Sequence, residues 1–205
     1  IKAWGIQIWS SATTVQEAQW LAQNGADAVI AQGLEAGGHR GMFLTEDLST
    51  QVSTLALLPQ IVKALKLPVI AAGGISSAAA VSAAKTLGAS AVQVGTAFLT
   101  SHEANTSALH RQALMSDAAK HTALTNLFSG RPARGIVNKF MQDFGPLNPE
   151  APAFPLATAA VAPLRAAAEA KGSADYSPLW SGQNASDCQA WPAAEIAHKL
   201  LQGWA

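Results

Sequence analysis

The chain has 205 residues, of which 49% are hydrophobic and 13% are charged, and its formal net charge is zero. This composition is typical of a folded globular protein, and the lack of a basic excess argues against binding to nucleic acids or anionic membranes. No apolar run reaches the roughly 18 residues that a membrane-spanning helix needs.

The first hundred residues alternate short apolar runs with helical segments, which indicates βαβ units around a parallel sheet. The apolar runs are rich in Val, Ile and Ala, as expected for strands that are buried on both faces. Helices are predicted between residues 14 and 25, over 55–65 and over 78–87. Strands are predicted over residues 5–10, 28–32, 69–72 and 91–94.

The helix after the first strand has a recognisable start. Thr14 and Glu17 have the spacing of a capping box, in which each side chain accepts a hydrogen bond from the other residue's backbone N–H. We therefore expect both halves of this box at the start of the helix. Gly25 is expected to end the helix in a left-handed conformation.

The pattern changes near residue 100, and we divide the chain into residues 1–100, with four βα units, and residues 101–205, a helical and loop segment packed on them. Residues 102–127 are predicted to be helical, and residues 129–141 form a basic, glycine-containing segment. Four prolines predict an extended loop over residues 144–155. Helices are predicted over residues 158–171 and 193–202, separated by an irregular segment.

Two consecutive predicted strands end in small residues. Gly73 and Gly74 follow the third strand, and Gly95 and Thr96 follow the fourth. Glycines at these positions let a ligand approach bare backbone N–H groups, and the helix start that follows favours an anion. The pair predicts a phosphate site, although tight turns without a ligand would also explain these glycines.

The second strand runs into the most informative segment, residues 32–41, which contains four glycines and one imidazole. His39 is a candidate for proton transfer because the ordinary pKa of histidine lies near neutrality. Gln32, at the end of the strand, suits hydrogen bonding to a cofactor. A histidine that only braces a turn, and a glutamine that is a satisfied buried amide, remain the structural alternatives.

Other candidate groups are few. No cluster of His, Asp and Glu predicts a metal site, and Gly-x-Ser-x-Gly and Gly-x-Gly-x-x-Gly motifs are absent. The single cysteine, Cys188, excludes an intrachain disulfide, fits a reducing cytoplasm and is a weak candidate nucleophile. Arg131 and Arg134 either meet an anionic substrate or phosphate, or serve structural roles. His110 and the other histidines outside the glycine-rich loop are expected in surface or core positions.

Three segments carry a resemblance to a known family. Residues 28–41, with the Gly-Gly-His sequence, resemble the signature of nitronate monooxygenases, also called the 2-nitropropane dioxygenase family. Residues 68–75 and 92–98 are similar to that family's two phosphate-binding strand ends. Residues 129–135 and 179–183 resemble its C-terminal motifs. The similarity covers essentially the whole chain, and the histidine motif is specific to this family and its close relatives.

The resemblance implies a (β/α)8 barrel, of which this chain supplies the last four βα units and the C-terminal helices. It also implies that FMN binds noncovalently at the carboxyl ends of the strands, with His39 facing the substrate as a base or as an electrostatic partner. Trp180 and Gln183 would help to cover the flavin. The residues implied to contact FMN or lie beside it are Gln32, Gly37, Gly38, Gly73, Gly74, Gln93, Val94, Gly95 and Thr96.

The implied reaction is oxidative denitrification of alkyl nitronates, or of nitroalkanes, by oxygen to a carbonyl compound and nitrite. The sequence lacks the family's N-terminal half, so we expect that half, or a second chain, to be needed to close the barrel. The alternatives are an FMN-dependent enoyl-[acyl-carrier-protein] reductase that uses NAD(P)H and an inactive half-barrel fragment. A barrel that binds a phosphate-sugar without redox chemistry is a further alternative.

Overall fold

The computed structural model describes all 205 residues, in two compact units. The first unit comprises Ile1–Ala36, Gly41–Val94 and Ala197–Ala205, and the second comprises Gly37–Arg40 and Gly95–Ile196. The strands are β1 (Trp9–Ala12), β2 (Ala28–Gln32), β3 (Gly38–His39), β4 (Val69–Ala72), β5 (Ala91–Gln93), β6 (Thr122–Thr125) and β7 (Ala133–Ile136). The helices are α1 (Val15–Gln23), α2 (Thr54–Ala64), α3 (Ala78–Thr86), α4 (Ala108–Leu114), α5 (Lys139–Phe144), α6 (Leu156–Glu169) and α7 (Ala193–Leu201). Short 3-10 helices span Lys2–Trp4, Leu48–Thr50, Thr96–Phe98 and Asp117–Lys120.

The first unit is built on a four-stranded parallel sheet with the order β1-β2-β4-β5. All four residues of β4 and the first four of β2 are buried, because these central strands are covered on both faces. The predicted parallel α/β class is confirmed. The first strand lies at Trp9–Ala12 rather than over residues 5–10, so its predicted position is wrong by several residues.

Local signals explain why the predicted helices begin where they do. The hydroxyls of Thr14, Ser53 and Ser77 each accept a hydrogen bond from the backbone N–H three residues later, at the starts of α1, α2 and α3. Gly25, after α1, has a φ of 92°, in the left-handed region that the sequence predicts.

The predicted capping box is only half correct. Thr14 Oγ1 accepts from Glu17 N, but the Glu17 carboxylate does not return to Thr14. Its Oε2 accepts from the backbone N and the hydroxyl of Thr13, both at 2.7 Å. Its Oε1 accepts from Phe43 N at 2.6 Å and Leu44 N at 3.2 Å. This fully buried carboxylate therefore ties helix α1 to the segment that follows the glycine-rich loop.

The second unit contains a three-stranded antiparallel sheet with the order β3-β7-β6. The helix predicted over residues 102–127 is largely wrong, because only α4, Ala108–Leu114, is α-helical, and a 3-10 helix and β6 follow it. The basic segment contains β7, which the sequence did not predict as a strand. Residues 145–155 form the expected loop between α5 and α6.

Aromatic rings pack the interior of the second unit. Phe128 meets the ring of Phe140 at 5.5 Å and that of Trp180 at 5.7 Å between centroids, both in edge-to-face geometry. Met141 and Val161 are buried in the same cluster. None of the helices combines the length and the apolar character that spanning a membrane requires.

Replacing Glu17 tests the role of this buried carboxylate. We expect Glu17→Ala to lower the free energy of unfolding by about 3 kcal/mol or more, because four donors lose their acceptor. Urea unfolding measures this loss. Glu46→Ala, at an exposed carboxylate, is the control and should leave the midpoint nearly unchanged. Equal midpoints for the two variants would contradict the role assigned to Glu17.

Candidate active site

His39 is carried by a strand and not by a free loop. In β3, Gly38 is paired with Arg134 of β7, and His39 is paired with Ala133. The next residue, Arg40, donates its backbone N–H to Pro132 O at 2.9 Å. The antiparallel pairing therefore fixes the backbone on both sides of the imidazole, where the sequence alone predicts a glycine-rich loop.

The imidazole of His39 lies among one hydroxyl and two aromatic rings. Its Nε2 is 2.8 Å from Ser129 Oγ. The ring centroid is 5.4 Å from that of Trp180 and 6.4 Å from that of Phe154, which meets it edge-on. Although the residue as a whole is exposed, part of its ring is therefore shielded from water.

The electrostatic surroundings favour the neutral imidazole. Partial burial of the ring is the larger cause that lowers the pKa of His39, and the nearby guanidinium of Arg131 lowers it further. His39 is therefore neutral near pH 7 and has a lone pair that can accept a proton. The cation at Arg131 also favours the approach of an anion to this position.

The segment from Leu179 to Gly182 holds Trp180 against His39. Leu179 O accepts from Ile136 N at 2.8 Å, and Trp180 forms a bridge with Gly135. His110 Nε2 lies 2.9 Å from Trp180 O. A carbonyl oxygen only accepts, so Nε2 of His110 carries the proton. His110 thus has a structural role, and burial lowers its pKa in spite of this hydrogen bond.

Two of the predicted cofactor residues meet the same segment. Gly182 N donates to Thr96 Oγ1 at 2.9 Å. A Cβ at Gly37 would lie 2.5 Å from Gly182 N and from the carbonyl carbon of Ser181. Gly37 is therefore required by packing within the chain. His39, Gly37 and Thr96 are brought together around residues 180–182 of the second unit.

The other predicted residues meet at one edge of the parallel sheet of the first unit. Gln32 pairs with Ala72, and Ala72 pairs with Gln93, so the ends of β2, β4 and β5 are level. Gly73, Gly74 and Val94 follow these strand ends directly. The Gln32 side-chain Oε1 accepts from Gly41 N at 2.7 Å, which orients its amide.

The glycines at these positions differ in what surrounds them. A Cβ at Gly73 would lie 2.8 Å from Thr54 Oγ1, so this glycine is required by packing. A Cβ at Gly38 or at Gly95 would meet no atom within 4 Å. A Cβ at Gly74 would contact only the Glu35 side chain, at 3.4 Å or more. Packing against the chain therefore does not explain the glycines at positions 38 and 95.

Three other residues raised by the sequence have clear surroundings. Arg134 is buried and donates to the carbonyl and the hydroxyl of Thr122, which is a structural role. Cys188 is buried, and burial together with nearby Asp187 raises its pKa to about 11. A thiol in this environment is a poor nucleophile at neutral pH. Gln183 is exposed.

Sequence reasoning did not identify Ser129 or Phe154 as neighbours of His39. Ser129 opens a segment that the sequence singled out for its arginines, and Phe154 ends the proline-rich loop. Each lies about a hundred residues from His39 along the chain. Only the pairing of β3 with β7, which follows Ser129 closely, provides a local reason for the Ser129 contact.

Comparisons with known proteins agree on one family. Residues 1–203 match the sequence model of the nitronate monooxygenase family. The nitronate monooxygenase of Paraburkholderia phytofirmans is 43% identical over 201 residues, which are 98% of this chain and 55% of that protein. The nitronate monooxygenase of Pseudomonas aeruginosa is 43% identical over 203 residues, or 98% and 58% of the two chains.

Two solved structures are similar to this chain over nearly its whole length. Nitroalkane oxidase from Streptomyces ansochromogenes superposes with a TM-score of 0.89 at 39% identity, over 98% of this chain and 59% of its own. FabK from Thermotoga maritima gives a TM-score of 0.76 at 28% identity, over 98% and 61%. The chain thus spans a little over half the length of the curated relatives that it matches.

Removing the cation beside His39 tests the electrostatic account. We expect Arg131→Gln to raise the pKa of His39, because loss of a nearby positive charge stabilises the imidazolium form. Titration of the His39 ring by NMR measures the pKa. Lys171→Gln, which removes an exposed charge that does not act on His39, should leave this pKa unchanged. An unchanged or lower pKa in Arg131→Gln would refute the account.

Proposed function

Because this chain belongs to the nitronate monooxygenase family, we propose that the whole protein oxidises alkyl nitronates, or nitroalkanes, to a carbonyl compound and nitrite with oxygen and FMN. The observation that carries the proposal is an imidazole close to two aromatic rings, at 5.4 and 6.4 Å between centroids, whose pKa is lowered by burial and by a nearby cation. The nitroalkane oxidase structure, with the higher TM-score and identity of the two solved relatives, supports the same chemistry.

The strand ends provide groups that suit the phosphate end of FMN. Gly95 is open on its Cα side, and the backbone N–H groups of Gly95 and Thr96 donate to no other group of the chain. Gly74 has a left-handed φ of 70° and no close backbone neighbour on its Cα side. We propose that Gly95 and Thr96 bind the phosphate, since bare N–H groups bind anions well, and that Gly74, Gln93 and Val94 line its site.

The remaining predicted residues are assigned to the rest of the cofactor. Gln32, with its oriented amide, and Gly38, with open space on its Cα side, are proposed to contact FMN directly. Gly37 and Gly73 admit close backbone packing beside it. When bound, FMN supplies the transfer of electrons from the substrate to oxygen.

His39 and its neighbours account for the selection of the substrate. Arg131 favours a negatively charged nitronate, and the rings of Trp180 and Phe154 provide apolar walls for its alkyl part. With a nitroalkane, the neutral imidazole accepts the proton from the carbon next to the nitro group. With a nitronate, which has already lost that proton, no proton transfer to the imidazole is needed, and the cation at Arg131 favours binding of the anion.

We propose that the activity requires a closed barrel. The strands β1 and β5 lie at the two edges of the parallel sheet, and Trp9 of β1 is 58% exposed. Such edges normally pair with another strand or are covered. We propose that they continue into a (β/α)8 barrel, whose other strands come from an N-terminal half or from a second chain.

Gly95 offers a test of FMN binding that does not depend on turnover. We expect Gly95→Val to weaken FMN binding by about tenfold or more, because the side chain fills the space through which the phosphate approaches. The unfolding midpoint of the apoprotein should stay nearly the same, since a Cβ at this position meets no protein atom within 4 Å. Fluorescence titration with FMN measures the affinity. Unchanged affinity would refute the phosphate assignment.

The function itself is tested by spectrum and product. The full-length protein should be yellow and should release nitrite from propionate 3-nitronate in the presence of oxygen. With a nitroalkane as the substrate, His39→Asn should lower kcat/KM by about a hundredfold or more while FMN stays bound, because the imidazole accepts the substrate's proton. Colorimetric nitrite determination measures the rate. A yellow protein without nitrite release would contradict the proposed reaction.

The same spectrum distinguishes the alternatives. Rapid bleaching of the flavin absorbance by NADH or NADPH, with no response to nitronates, would identify an enoyl reductase reaction instead. A colourless full-length protein that retains no flavin absorbance after incubation with FMN and removal of the unbound FMN would point to a chain without redox chemistry.

A further inference from the structure

The hydroxyl of Ser129 lies at the centre of a small hydrogen-bond network. Ser129 is buried, at 5% relative exposure, and its Oγ is 2.8 Å from His39 Nε2. The same Oγ donates to Arg131 O at 3.2 Å and accepts from Arg131 N at 3.3 Å. One side chain thus contacts both the imidazole and the backbone of the residue whose cation lies near it.

The number of protons in this network determines the state of the imidazole. A serine hydroxyl has one proton and two lone pairs. Its proton goes to Arg131 O, a carbonyl that can only accept, and one lone pair receives the N–H of Arg131. With the hydroxyl proton directed to Arg131 O, the second lone pair faces His39, and a hydrogen on Nε2 satisfies the 2.8 Å contact. Neutral His39 then has its lone pair on Nδ1.

We infer that Ser129 is a positioning residue for His39: its hydroxyl accepts the Nε2 hydrogen, holds the ring orientation and selects the tautomer with its lone pair on Nδ1. The effect on turnover rests on the proposed function, whereas the tautomer is a property of this chain alone. Proton transfer to His39 would then occur at Nδ1.

The charged surroundings are consistent with a neutral ring in this tautomer. The aromatic neighbours of His39 carry no charge, and Ser129 remains neutral at ordinary pH. The charged residues on β7 and on the segment before it are Arg134 and Arg131. A further histidine, His110, contacts the backbone carbonyl of Trp180. The titratable or charged groups on the elements around His39 are Arg40, Arg131, Arg134, His110 and, on the loop with Phe154, Glu150.

The tautomer can be measured directly by NMR on protein labelled with 15N-histidine. His39→Asn identifies the His39 signals, because the shifts of protonated and unprotonated ring nitrogens differ widely. In the wild-type protein we expect a hydrogen on Nε2 and none on Nδ1 above the pKa. Ser129→Ala should give a mixture of tautomers, and Ser129→Thr, which keeps the hydroxyl, should preserve the wild-type one. A wild-type hydrogen on Nδ1 would overturn the inference.

The pKa of His39 provides a second readout. Removing the hydroxyl acceptor destabilises the imidazolium form of His39 more than the neutral form, because hydrogen bonds from a charged donor are stronger. Ser129→Ala should therefore lower the pKa of His39, and Ser186→Ala, at an exposed serine, should leave it unchanged. An unchanged tautomer and pKa in Ser129→Ala would also overturn the inference, because a merely structural serine would produce that result.

Turnover separates this inference from the proposed function. In Ser129→Ala, the apparent pKa in the pH profile of nitrite release should shift downward together with the pKa of His39. We also expect kcat to fall by about tenfold. Ser129→Thr should recover most of kcat. If the NMR result holds and the wild-type protein releases no nitrite, the positioning role stands and the proposed reaction fails. If nitrite is released and His39 carries its hydrogen on Nδ1, the proposed reaction stands and the positioning role of Ser129 fails.

Discussion

The pairing of two residues in β3 with β7 is the constraint on which the candidate site depends. Glycines at positions 37 and 38 leave the backbone before His39 with few intrinsic restrictions, and the strand contact removes that freedom. Register matters as much as pairing, because a slip by one residue would turn the imidazole to the opposite face of the sheet. The observed register places it against Ser129 and Trp180.

Once the ring is in place, its chemistry follows from what surrounds it. Aromatic neighbours remove water from part of the imidazole, and a cation nearby disfavours a second positive charge, so that the pKa falls. The same cation attracts an anion. A neutral base beside a positive charge suits a substrate that is itself an anion or becomes one on losing a proton, as nitronates and nitroalkanes are.

The sequence predicted features with local causes and missed those that depend on distant partners. Helices α1 and α3 follow from hydroxyl caps at Thr14 and Ser77, and the buried strands follow from short apolar runs. The strands β6 and β7 were missed because each needs the other to satisfy its backbone. Glu17 was assigned to the wrong donors because two of its partners lie 26 and 27 residues away. At the site, His39 and Trp180 stood in recognisable motifs, whereas the contact with Ser129 spans 90 residues.

The most direct test of the central claim is a crystal structure of the full-length protein with FMN and a slowly reacting nitronate. The measured quantity is the distance from the nitronate to the ring nitrogens of His39. We predict that the reacting carbon of the nitronate, and not one of its oxygens, lies within about 3.5 Å of the Nδ1 lone pair, near the rings of Trp180 and Phe154. A nitronate bound away from His39, with the β3–β7 pairing intact, would contradict the account.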